Sequence, residues 1–509
     1  MRTRYTVINM IVNLGGQLLT MLLTFISRLV FIRYLSAEYL GVNGLFTDVL
    51  SILNFAELGI GTAMIFSMYE PAANDDEEKL GRLMNLYKWM YRAVAVSVLL
   101  FGLILLPFLP VLIKGGEGIE NIRLIYMMYV LSSASSYLLN YKNSIYQAYQ
   151  KGYIRTGWGM VCDCIRTILQ IVILILTRNF ILYLLIQFIM QFVPNIIVSH
   201  KADKEYPYLK TCKELPDKQE MKGILKNIGA MSMHKLATII VRNTDSLLMS
   251  SFIGLTTVGI YSNYRMVLNN LNNLMGKFSN AFSGSVGNLS VLENPQRLYQ
   301  VYKELDFLFF VLSAYLAGGL MMLFNPFITI FFGEQYCFPL ITVIIIVIEF
   351  YITRMRQVNL LFREAMGLFW NDRYKAVAES IINLVVSLLL VKPFGVAGIV
   401  GGTIISSLCT CVWMEPYVLM KYGIRDEWRE KLKAYFVEYA KRVGLMAVVM
   451  AAFCYWVYRF PVHGIGGFIL DGLLYTGVYA LVILVIYHGT EEFAALKARM
   501  LKILQKKRG

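Results

Sequence analysis

The stretch GWGMVCDCIRTILQIVILILTRNFILYLLIQFIMQFVPNIIVSH, residues 157–200, decides the kind of fold that this chain adopts. It contains two apolar runs, 157–177 and 179–200, which meet at Arg178. About 20 mostly apolar residues are enough for a helix to cross the hydrocarbon core of a bilayer. Two such runs joined by so short a turn predict a pair of antiparallel transmembrane helices.

The same pattern continues along the chain of 509 residues. Hydrophobic residues make up 57% and charged residues only 16%, and the mean hydropathy is +0.57. Because soluble domains carry about 25% charged residues, these values exclude an ordinary soluble protein and predict an all-α polytopic membrane protein. Charge clusters and prolines divide the chain into about fourteen transmembrane helices. The predicted spans are residues 7–32, 40–68, 84–107, 122–146, 157–177, 179–200, 226–253, 257–283, 305–332, 338–363, 375–394, 396–420, 437–459 and 467–488.

Lysine and arginine are distributed unevenly between the two predicted sides of the membrane. With the N-terminus placed in the cytoplasm, 35 of these residues fall in cytoplasmic segments and 6 in external ones, in agreement with the positive-inside rule. The net charge of +15 therefore indicates cytoplasmic loops beside anionic lipid, and not a nucleic-acid partner. We expect both termini to be cytoplasmic.

Short external connections and scattered reactive side chains argue against catalysis. The longest predicted external connection is residues 114–121, which is too small to hold the acceptor and catalytic groups of a membrane enzyme that acts on external glycans. The four histidines are dispersed. The Cys162/Cys164 and Cys409/Cys411 pairs lie in apolar helices without further ligands at metal spacing. We expect a carrier, not an enzyme, with no metal and no cofactor.

An internal repeat divides the chain into related halves. Tyr39–Val42, at the start of the second span, resembles Thr257–Ile260, at the start of the eighth, at an offset of 218 residues. Pro107 and Pro326, at the ends of the third and ninth spans, are 219 apart. Because an offset of six spans preserves orientation, the halves are parallel repeats. They predict two pseudo-symmetric six-helix lobes around a cleft that opens to either side in turn.

Two helices and a tail lie outside the repeat. The predicted parts are an N-terminal lobe, a solvated cytoplasmic linker, a C-terminal lobe, and a last part with an interfacial helix, two further transmembrane helices and a basic tail. They cover residues 1–200, 201–225, 226–425 and 426–509.

Several segments resemble one family of membrane carriers. They are Ser27–Arg28, Glu38–Phe46, Ala56–Gly61, Val258–Tyr264, Ser285–Leu289 and Gly395–Thr403. These segments are similar to Wzx-type bacterial polysaccharide flippases of the multidrug/oligosaccharidyl-lipid/polysaccharide exporter superfamily, and the resemblance covers roughly residues 5–430. It implies a carrier in the bacterial cytoplasmic membrane that moves undecaprenyl-diphosphate-linked oligosaccharide from the inner to the outer leaflet, for capsule, O-antigen or exopolysaccharide synthesis. Implied partners are the polysaccharide polymerase and other assembly proteins.

Ionisable side chains inside the predicted spans are candidates for function because a charge in hydrocarbon is costly. Arg28 and Arg265 have no acidic residue within four positions on their own helix. A diphosphate carries negative charge, and the guanidinium fork suits phosphate oxygens. We predict a cationic cleft in which Arg28 and Arg265 contact the substrate, together with Lys235 and Arg242. Lipid II flippases, relatives in the same superfamily, likewise place arginines in their first and eighth helices. Arg242 and Asp245, spaced i,i+3, could also neutralise each other.

Polar and acidic side chains supply two further sets of candidates. Tyrosines and asparagines are dense in the eighth span and could contact sugars, although helix packing uses asparagine equally well. The predicted sugar contacts are Tyr261, Asn263, Tyr264, Asn269 and Asn273. Acidic residues in the spans could couple transport to a proton or sodium gradient, or form salt bridges, and their spacing does not decide between these roles. They are Asp48, Glu57, Asp245 and Glu349.

Two other functions stay open on the sequence. A multidrug or organic-cation exporter of the same superfamily would share the architecture but would need an anionic or aromatic cleft. A polytopic glycan polymerase or acyltransferase is the alternative from another class, and the sequence shows no catalytic constellation for it. The cationic character of the candidate side chains favours an anionic, lipid-linked cargo.

Overall fold

The computed structural model describes residues 2–57, 59–115, 119–292, 294–368, 371–460 and 464–506, and these ranges contain helices and no strand. The helices are α1 Arg2–Tyr34, α2 Ala37–Leu53, α3 Ile60–Ala73, α4 Glu77–Leu105, α5 Leu109–Leu112, α6 Ile122–Asn140, α7 Asn143–Ala148, α8 Tyr153–Thr177, α9 Phe180–Glu205, α10 Tyr208–Thr211, α11 Lys218–Phe252, α12 Leu255–Leu292, α13 Pro295–Phe332, α14 Leu340–Met355, α15 Gln357–Ala365, α16 Lys375–Cys409, α17 Cys411–Val418, α18 Trp428–Arg459, α19 Gly464–Tyr487 and α20 Glu491–Lys506.

The all-α polytopic membrane fold is confirmed. Among the described residues, eight helical segments are long and apolar enough to cross a membrane. They are Glu77–Leu112, Ile122–Asn140, Tyr153–Thr177, Phe180–Glu205, Pro295–Phe332, Lys375–Ile424, Trp428–Val457 and Gly464–Tyr487. α12 has 38 residues but is more polar than these segments, which is typical of a helix that does not face lipid all around.

The hairpin predicted from residues 157–200 is formed by α8 and α9. Arg178 adopts left-handed dihedral angles, with φ 52°, and ends α8. The side chain of Asn179 then accepts hydrogen bonds from the backbone N–H groups of Ile181 and Leu182, at 2.8 and 3.1 Å, and caps α9. A left-handed residue followed by a capping residue therefore reverses the chain between two spans.

Two predicted spans are interrupted in the structure. The second span, 40–68, contains α2, a 3₁₀ turn at Asn54–Glu57 and α3. Gly59 takes φ 86° at the break, a conformation that glycine adopts without steric cost. The tenth span, 338–363, is divided into α14 and α15. Both breaks leave backbone groups inside the membrane region that need partners other than the next helical turn.

The chain divides into two compact units, Met1–Ser262 and Asn263–Gly509. In unit 1, α1 packs on α8, α8 on α9, α4 on α6, and α11 on α2. A buried cluster that includes Met64, Tyr87 and Tyr146 joins α3, α4 and α7. The division between the units falls after Ser262, so unit 1 includes α11 and the first turns of α12. The units therefore differ from the lobes predicted from the repeat, whose boundaries near 200 and 225 stay predictions.

Unit 2 is built around α13, which packs on α14, α18, α19 and α20. Its core includes Tyr302, Phe309 and Phe362. α18 is one continuous helix, so the interfacial helix predicted near the start of residues 426–509 continues directly into the thirteenth span.

The segment that the sequence predicts as a solvated linker is held against α4. Asn85 Nδ2 donates to the backbone carbonyl oxygen of Lys213 at 2.7 Å, and Arg82 Nη2 lies 2.7 Å from Glu214 Oε2. Tyr206 is buried. The segment around residues 206–214 therefore packs on α4 within unit 1.

Candidate functional site

Arg28 lies in the last two turns of α1, and α1 is fixed in position by aromatic packing. The ring of Phe31 makes edge contacts with Phe180 and Tyr183, at centroid distances of 5.7 and 5.5 Å. The half-buried Arg28 donates from Nη2 to the backbone carbonyl oxygen of Ser262 at 3.2 Å. This bond uses one of the five N–H groups of a guanidinium, and it places the cation beside the start of α12.

A polar face runs along α12. Arg265, Asn269, Asn272 and Asn280 recur at helical spacing, with Asn273 beside them. Asn269, Asn273 and Asn280 are exposed, whereas Arg265 and Asn272 are half-buried. An amide in contact with lipid would cost several kcal/mol, so this face is suited to a hydrated pathway and not to hydrocarbon. The face can donate and accept hydrogen bonds over several helical turns.

The remaining predicted sugar contacts on α12 point the other way. Tyr261, Asn263 and Tyr264 are buried. The hydroxyl of Tyr264 donates to Asn325 Oδ1 and accepts from the backbone N–H of Phe338 at 2.9 Å. Tyr264 therefore joins α12 to the α13–α14 connection inside unit 2, and in this conformation its hydroxyl is engaged within the protein.

Asn263 is fully buried, and neither its amide nitrogen nor its amide oxygen has a hydrogen-bond partner. Such a group costs about 1–3 kcal/mol relative to a satisfied one. Buried amides of this kind are explained by an ordered water, a ligand or a second conformation.

Glu57 lies at the break in the second span among tyrosines of unit 1. Its carboxylate accepts hydrogen bonds from the hydroxyls of Tyr91, at 2.9 Å, and Tyr137, at 3.4 Å. Tyr87 donates in turn to the Tyr91 hydroxyl at 2.8 Å. Gly61 faces these hydroxyls, and a methyl group there would lie 3.3 Å from both Tyr87 and Tyr91. The cluster can hold a carboxylate inside the membrane region and pass a proton between hydroxyls.

The other acidic candidates are spread over both units. Asp48 is buried on α2, and Asp245 is half-buried on α11. Glu349, on α14, accepts a hydrogen bond from the Thr353 hydroxyl at 2.9 Å. Within the described ranges, His, Cys, Asp and Glu residues form no group of three that could hold a metal ion.

The structure does not describe the side chains of two of the four predicted cationic residues. Lys235 and Arg242 lie on α11, but their side chains are outside the part that the structure describes. The i,i+3 pairing of Arg242 with Asp245 therefore stays a prediction. The analogous pair on α8 is formed, with Arg166 Nη2 3.0 Å from Asp163 Oδ1.

Unit 2 contains a buried ion cluster around Glu415, which is not among the candidates predicted from the sequence. Glu415 is fully buried and receives two hydrogen bonds from Arg356, at 2.6 and 3.0 Å, and one from Lys375 at 2.6 Å. Arg356 also lies 3.6 Å from Glu379, and Lys375 lies 3.2 Å from Asp372. Both charge signs are matched inside the cluster, so it joins α16 and α17 to the end of α14.

Comparison with known proteins agrees with this architecture. The sequence model of a family described as polysaccharide biosynthesis protein matches residues 7–281. No curated protein matches the sequence significantly.

Several solved structures share the fold at low sequence identity. An inward-facing multidrug transporter of the MATE family is similar with a TM-score of 0.61 at 14% identity, over 80% of this chain and 98% of its own. The lipid II flippase MurJ, in an inward closed conformation, gives 0.58 at 14% identity, over 89% and 99%. The Vibrio cholerae MATE transporter VcmN gives 0.55 at 14% identity, over 83% and 98%. These likenesses establish the fold of a membrane transporter or flippase.

Proposed function

The chain belongs to the polysaccharide biosynthesis protein family, and from this premise we propose that it flips undecaprenyl-diphosphate-linked oligosaccharide from the inner to the outer leaflet of the bacterial cytoplasmic membrane. The family match and the transporter fold support a flippase or transporter of this pathway. The proposal adds the cargo, alternating access as the transport mechanism, cytoplasmic termini, and the polysaccharide polymerase and other assembly proteins as partners.

The observation that carries the proposal is the pairing of cationic and amide groups at the beginning of α12. Arg28 contacts the backbone of Ser262, and Arg265 follows within one turn on the same helix. The exposed Asn269 and Asn273 come next along the polar face. A lipid-linked oligosaccharide carries a diphosphate joined to sugars, so arginines for phosphate and amides for hydroxyl groups match its two polar parts. Lys235 and Arg242 would extend the cationic part along α11.

The energetic role of the arginines is to lower the barrier for moving phosphate charge through the membrane. A few cationic groups along a pathway can hold the diphosphate and still release it, as conducting sites must. Glu57, with its tyrosine cluster, is our first candidate for coupling to a proton gradient, ahead of Asp48, Asp245 and Glu349, because hydroxyl groups connect it into a chain.

The test is translocation of a polyprenyl-diphosphate oligosaccharide in proteoliposomes, read as protection of the sugar from an external enzyme. We expect Arg28→Ala and Arg265→Ala to reduce the initial rate, with Lys substitutions intermediate. A charge-assisted hydrogen bond is worth about 1.5–3 kcal/mol, which corresponds to roughly a 10- to 150-fold reduction. Arg92→Ala is the matched control, because Arg92 is an exposed intramembrane arginine that lies over the Trp89 ring at 5.2 Å.

Two outcomes would contradict the proposal. Full activity of both folded arginine variants would remove the cationic pathway. Wild-type protein that leaves several polyprenyl-diphosphate oligosaccharides in place but expels organic cations would be a drug exporter.

A further inference from the structure

The helices α4 and α13 are equivalent in the internal repeat, but they are covered differently. Pro107, just after α4, and Pro326, near the end of α13, are 219 positions apart. At this offset, residues 88–103 of α4 correspond to residues 307–322 of α13. The surroundings of these two stretches can therefore be compared position by position.

In unit 2, this face of α13 is covered by α19. Phe307 packs against Tyr487, with the ring centroids 5.1 Å apart. The Tyr479 hydroxyl donates to the backbone carbonyl oxygen of Val311 at 2.6 Å. The face is therefore buried by a helix that lies outside the repeat.

In unit 1, the corresponding face of α4 is exposed. Its apolar side chains Val96, Leu100 and Leu103 are all exposed, and so is Trp89 at the beginning of the face. Apolar side chains that are exposed on a membrane helix face lipid, and tryptophan is typical of the membrane–water interface. The face that a helix covers in unit 2 is therefore left to lipid in unit 1.

Cationic side chains gather at the beginning of this exposed face. Lys88, half-buried on α4, experiences the positive charges of Arg92, Lys142 and Lys213. These residues come from three parts of unit 1, namely α4, the turn between α6 and α7, and the segment 206–214 that packs on α4. The guanidinium of Arg92 lies over the Trp89 ring at 5.2 Å.

The acidic side chain beside the cluster does not balance its charge. Asp203 lies 2.7 Å from Lys142 and 3.7 Å from Lys210, so one carboxylate serves two lysines. Among the residues that the structure describes, Lys88 and Lys213 form no ion pair. The cluster therefore keeps an excess of positive charge, which an anion from outside the protein can neutralise.

We propose that Lys88, Lys142 and Lys213 bind the phosphate of an anionic glycerophospholipid whose acyl chains lie along the exposed face of α4. Lys88 lies one turn inside the predicted span 84–107, at the end that the topology prediction places on the cytoplasmic side. Basic pockets at this depth bind anionic headgroups, and a lysine ammonium donates charge-assisted hydrogen bonds to phosphate oxygens. Arg92, held over Trp89, strengthens the positive potential without being a ligand.

The order of side chains along α4 matches the parts of such a lipid. A phospholipid carries negative charge at one end and hydrocarbon beyond it, and α4 presents cations first and then Val96, Leu100 and Leu103. A protein helix in the same place would have to bring a buried acidic side chain to the lysines. Charge complementarity therefore favours a lipid over a second protein surface.

The test measures the affinity of the purified protein for phosphatidylglycerol, by native mass spectrometry in a neutral detergent. Lys88→Gln/Lys213→Gln should bind it about 30-fold more weakly, because each lysine at a membrane surface contributes about fivefold. Lys88→Arg/Lys213→Arg should bind as the wild type does, and phosphatidylethanolamine should bind equally to all variants. Lys218→Gln/Lys222→Gln is the matched control, because it removes two exposed lysines of α11 in the same unit and should leave the affinity unchanged.

A photochemical arm locates the bound lipid. A photoreactive benzoylphenylalanine in place of Leu100 should cross-link to phosphatidylglycerol, and Lys88→Gln/Lys213→Gln should suppress this product. The same group in place of Ile168, which is exposed on α8, should cross-link equally with and without the two lysines.

Four outcomes would overturn the lipid site. They are equal affinities of the two glutamine double variants, displacement of the lipid by millimolar inorganic phosphate without a cross-link at Leu100, a protein dimer that dissociates in Lys88→Gln/Lys213→Gln, and loss of polyprenyl-diphosphate binding in that variant while phosphatidylglycerol binding is unchanged. The second would indicate a site for a free anion, the third a contact with a second copy of the chain, and the fourth a site for the cargo.

The lipid site does not depend on the proposed function. A wild-type protein that leaves polyprenyl-diphosphate oligosaccharide in place, but binds phosphatidylglycerol as expected, would overturn the cargo and leave the lipid site. Equal phosphatidylglycerol binding by Lys88→Gln/Lys213→Gln and Lys218→Gln/Lys222→Gln would overturn the lipid site and leave the flippase proposal standing.

Discussion

Glu415 depends on two cations for its place in unit 2. The carboxylate has no exposed surface, and Arg356 and Lys375 supply all three of its hydrogen bonds named above. A carboxylate without such partners would be far more stable in water than in this position. The free energy of the cluster therefore depends on every member being present.

Glu415→Gln should destabilise the protein strongly. The amide keeps the shape of the side chain but leaves Arg356 and Lys375 as buried cations with less compensation, and breaking a buried pair in this way costs about 3–5 kcal/mol. The measurement is thermal unfolding in detergent, with Glu491→Gln as the control because 93% of the Glu491 side chain is exposed. A variant that unfolds at the wild-type temperature but no longer transports would show that Glu415 serves the cargo and not the fold.

At the scale of single residues, the sequence predicts which side chains are polar or charged better than it predicts which face of a helix each one occupies. Helical spacing could have separated the two sides of α12, since Tyr264 shares a face with the buried Leu268, whereas Asn269 shares one with Asn280. The partners of Glu415 come from other helices, 59 and 40 positions away, and no local pattern encodes such contacts.

At the scale of elements, breaks within helices decide where one membrane span ends and the next begins. The sequence predicts separate spans at 375–394 and 396–420, and the chain turns at Gly395, with φ 59° and ψ −132° inside α16. Gly398 packs on the backbone of Leu390, where a methyl group would lie 2.1 Å from the carbonyl oxygen. Glycine is needed at position 395 because of the backbone dihedral angles, and at position 398 because the backbone of Leu390 approaches so closely.

Gly395→Ala should weaken this hairpin. A side chain in that backbone conformation costs about 1–3 kcal/mol. We expect a lower unfolding temperature, measured beside Gly401→Ala, whose methyl group would have no atom within 4 Å. Equal unfolding temperatures for the two variants would mean that the turn relaxes without strain.

At the scale of elements, apolar length and punctuation were sufficient to predict the eight long apolar segments seen among the described residues, but not the interruptions inside other predicted spans. The α8–α9 hairpin and the turn at Gly395 follow from the pattern of the sequence. The 3₁₀ turn before Gly59 does not, because the apolar run continues through it and glycine alone is a weak signal. The polar partners of Glu57 at this break become visible only when α4 and α6 are placed beside it.

At the scale of the whole molecule, two residues that are equivalent at the repeat offset of 218, Gly41 and Gly259, lie in close contact. The two helices outside the repeat could not be placed from the sequence. α18 joins α13 through Arg442 and Asp306, both buried, and the Tyr475 hydroxyl of α19 lies where a methyl group on Gly318 would be 2.6 Å away. Those partners are more than 130 residues apart along the chain, beyond the reach of any local pattern.

The structure therefore predicts that α18 and α19 are needed for unit 2 to fold. A chain that ends at Asp426 keeps Asp306 on α13 but loses Arg442, so a buried carboxylate is left without its partner. It also loses Tyr475, whose ring covers Gly318 on α13. We expect this truncated protein to aggregate on size-exclusion chromatography and to unfold at a lower temperature. Asp306→Leu in the truncated chain should recover part of the loss, because an apolar residue replaces the uncompensated charge.

The control for this prediction is a chain that ends at Tyr487 and lacks only α20. The ion pairs seen between α13 and α20 are those of Lys303 with Glu491 and Glu492, at 3.9 and 3.5 Å, and surface pairs of this kind contribute about 0–1 kcal/mol. This shorter deletion should therefore stay monodisperse. A chain ending at Asp426 that behaves equally well would show that α13 is stable without α18 and α19, and the two helices would then have to be explained by transport alone.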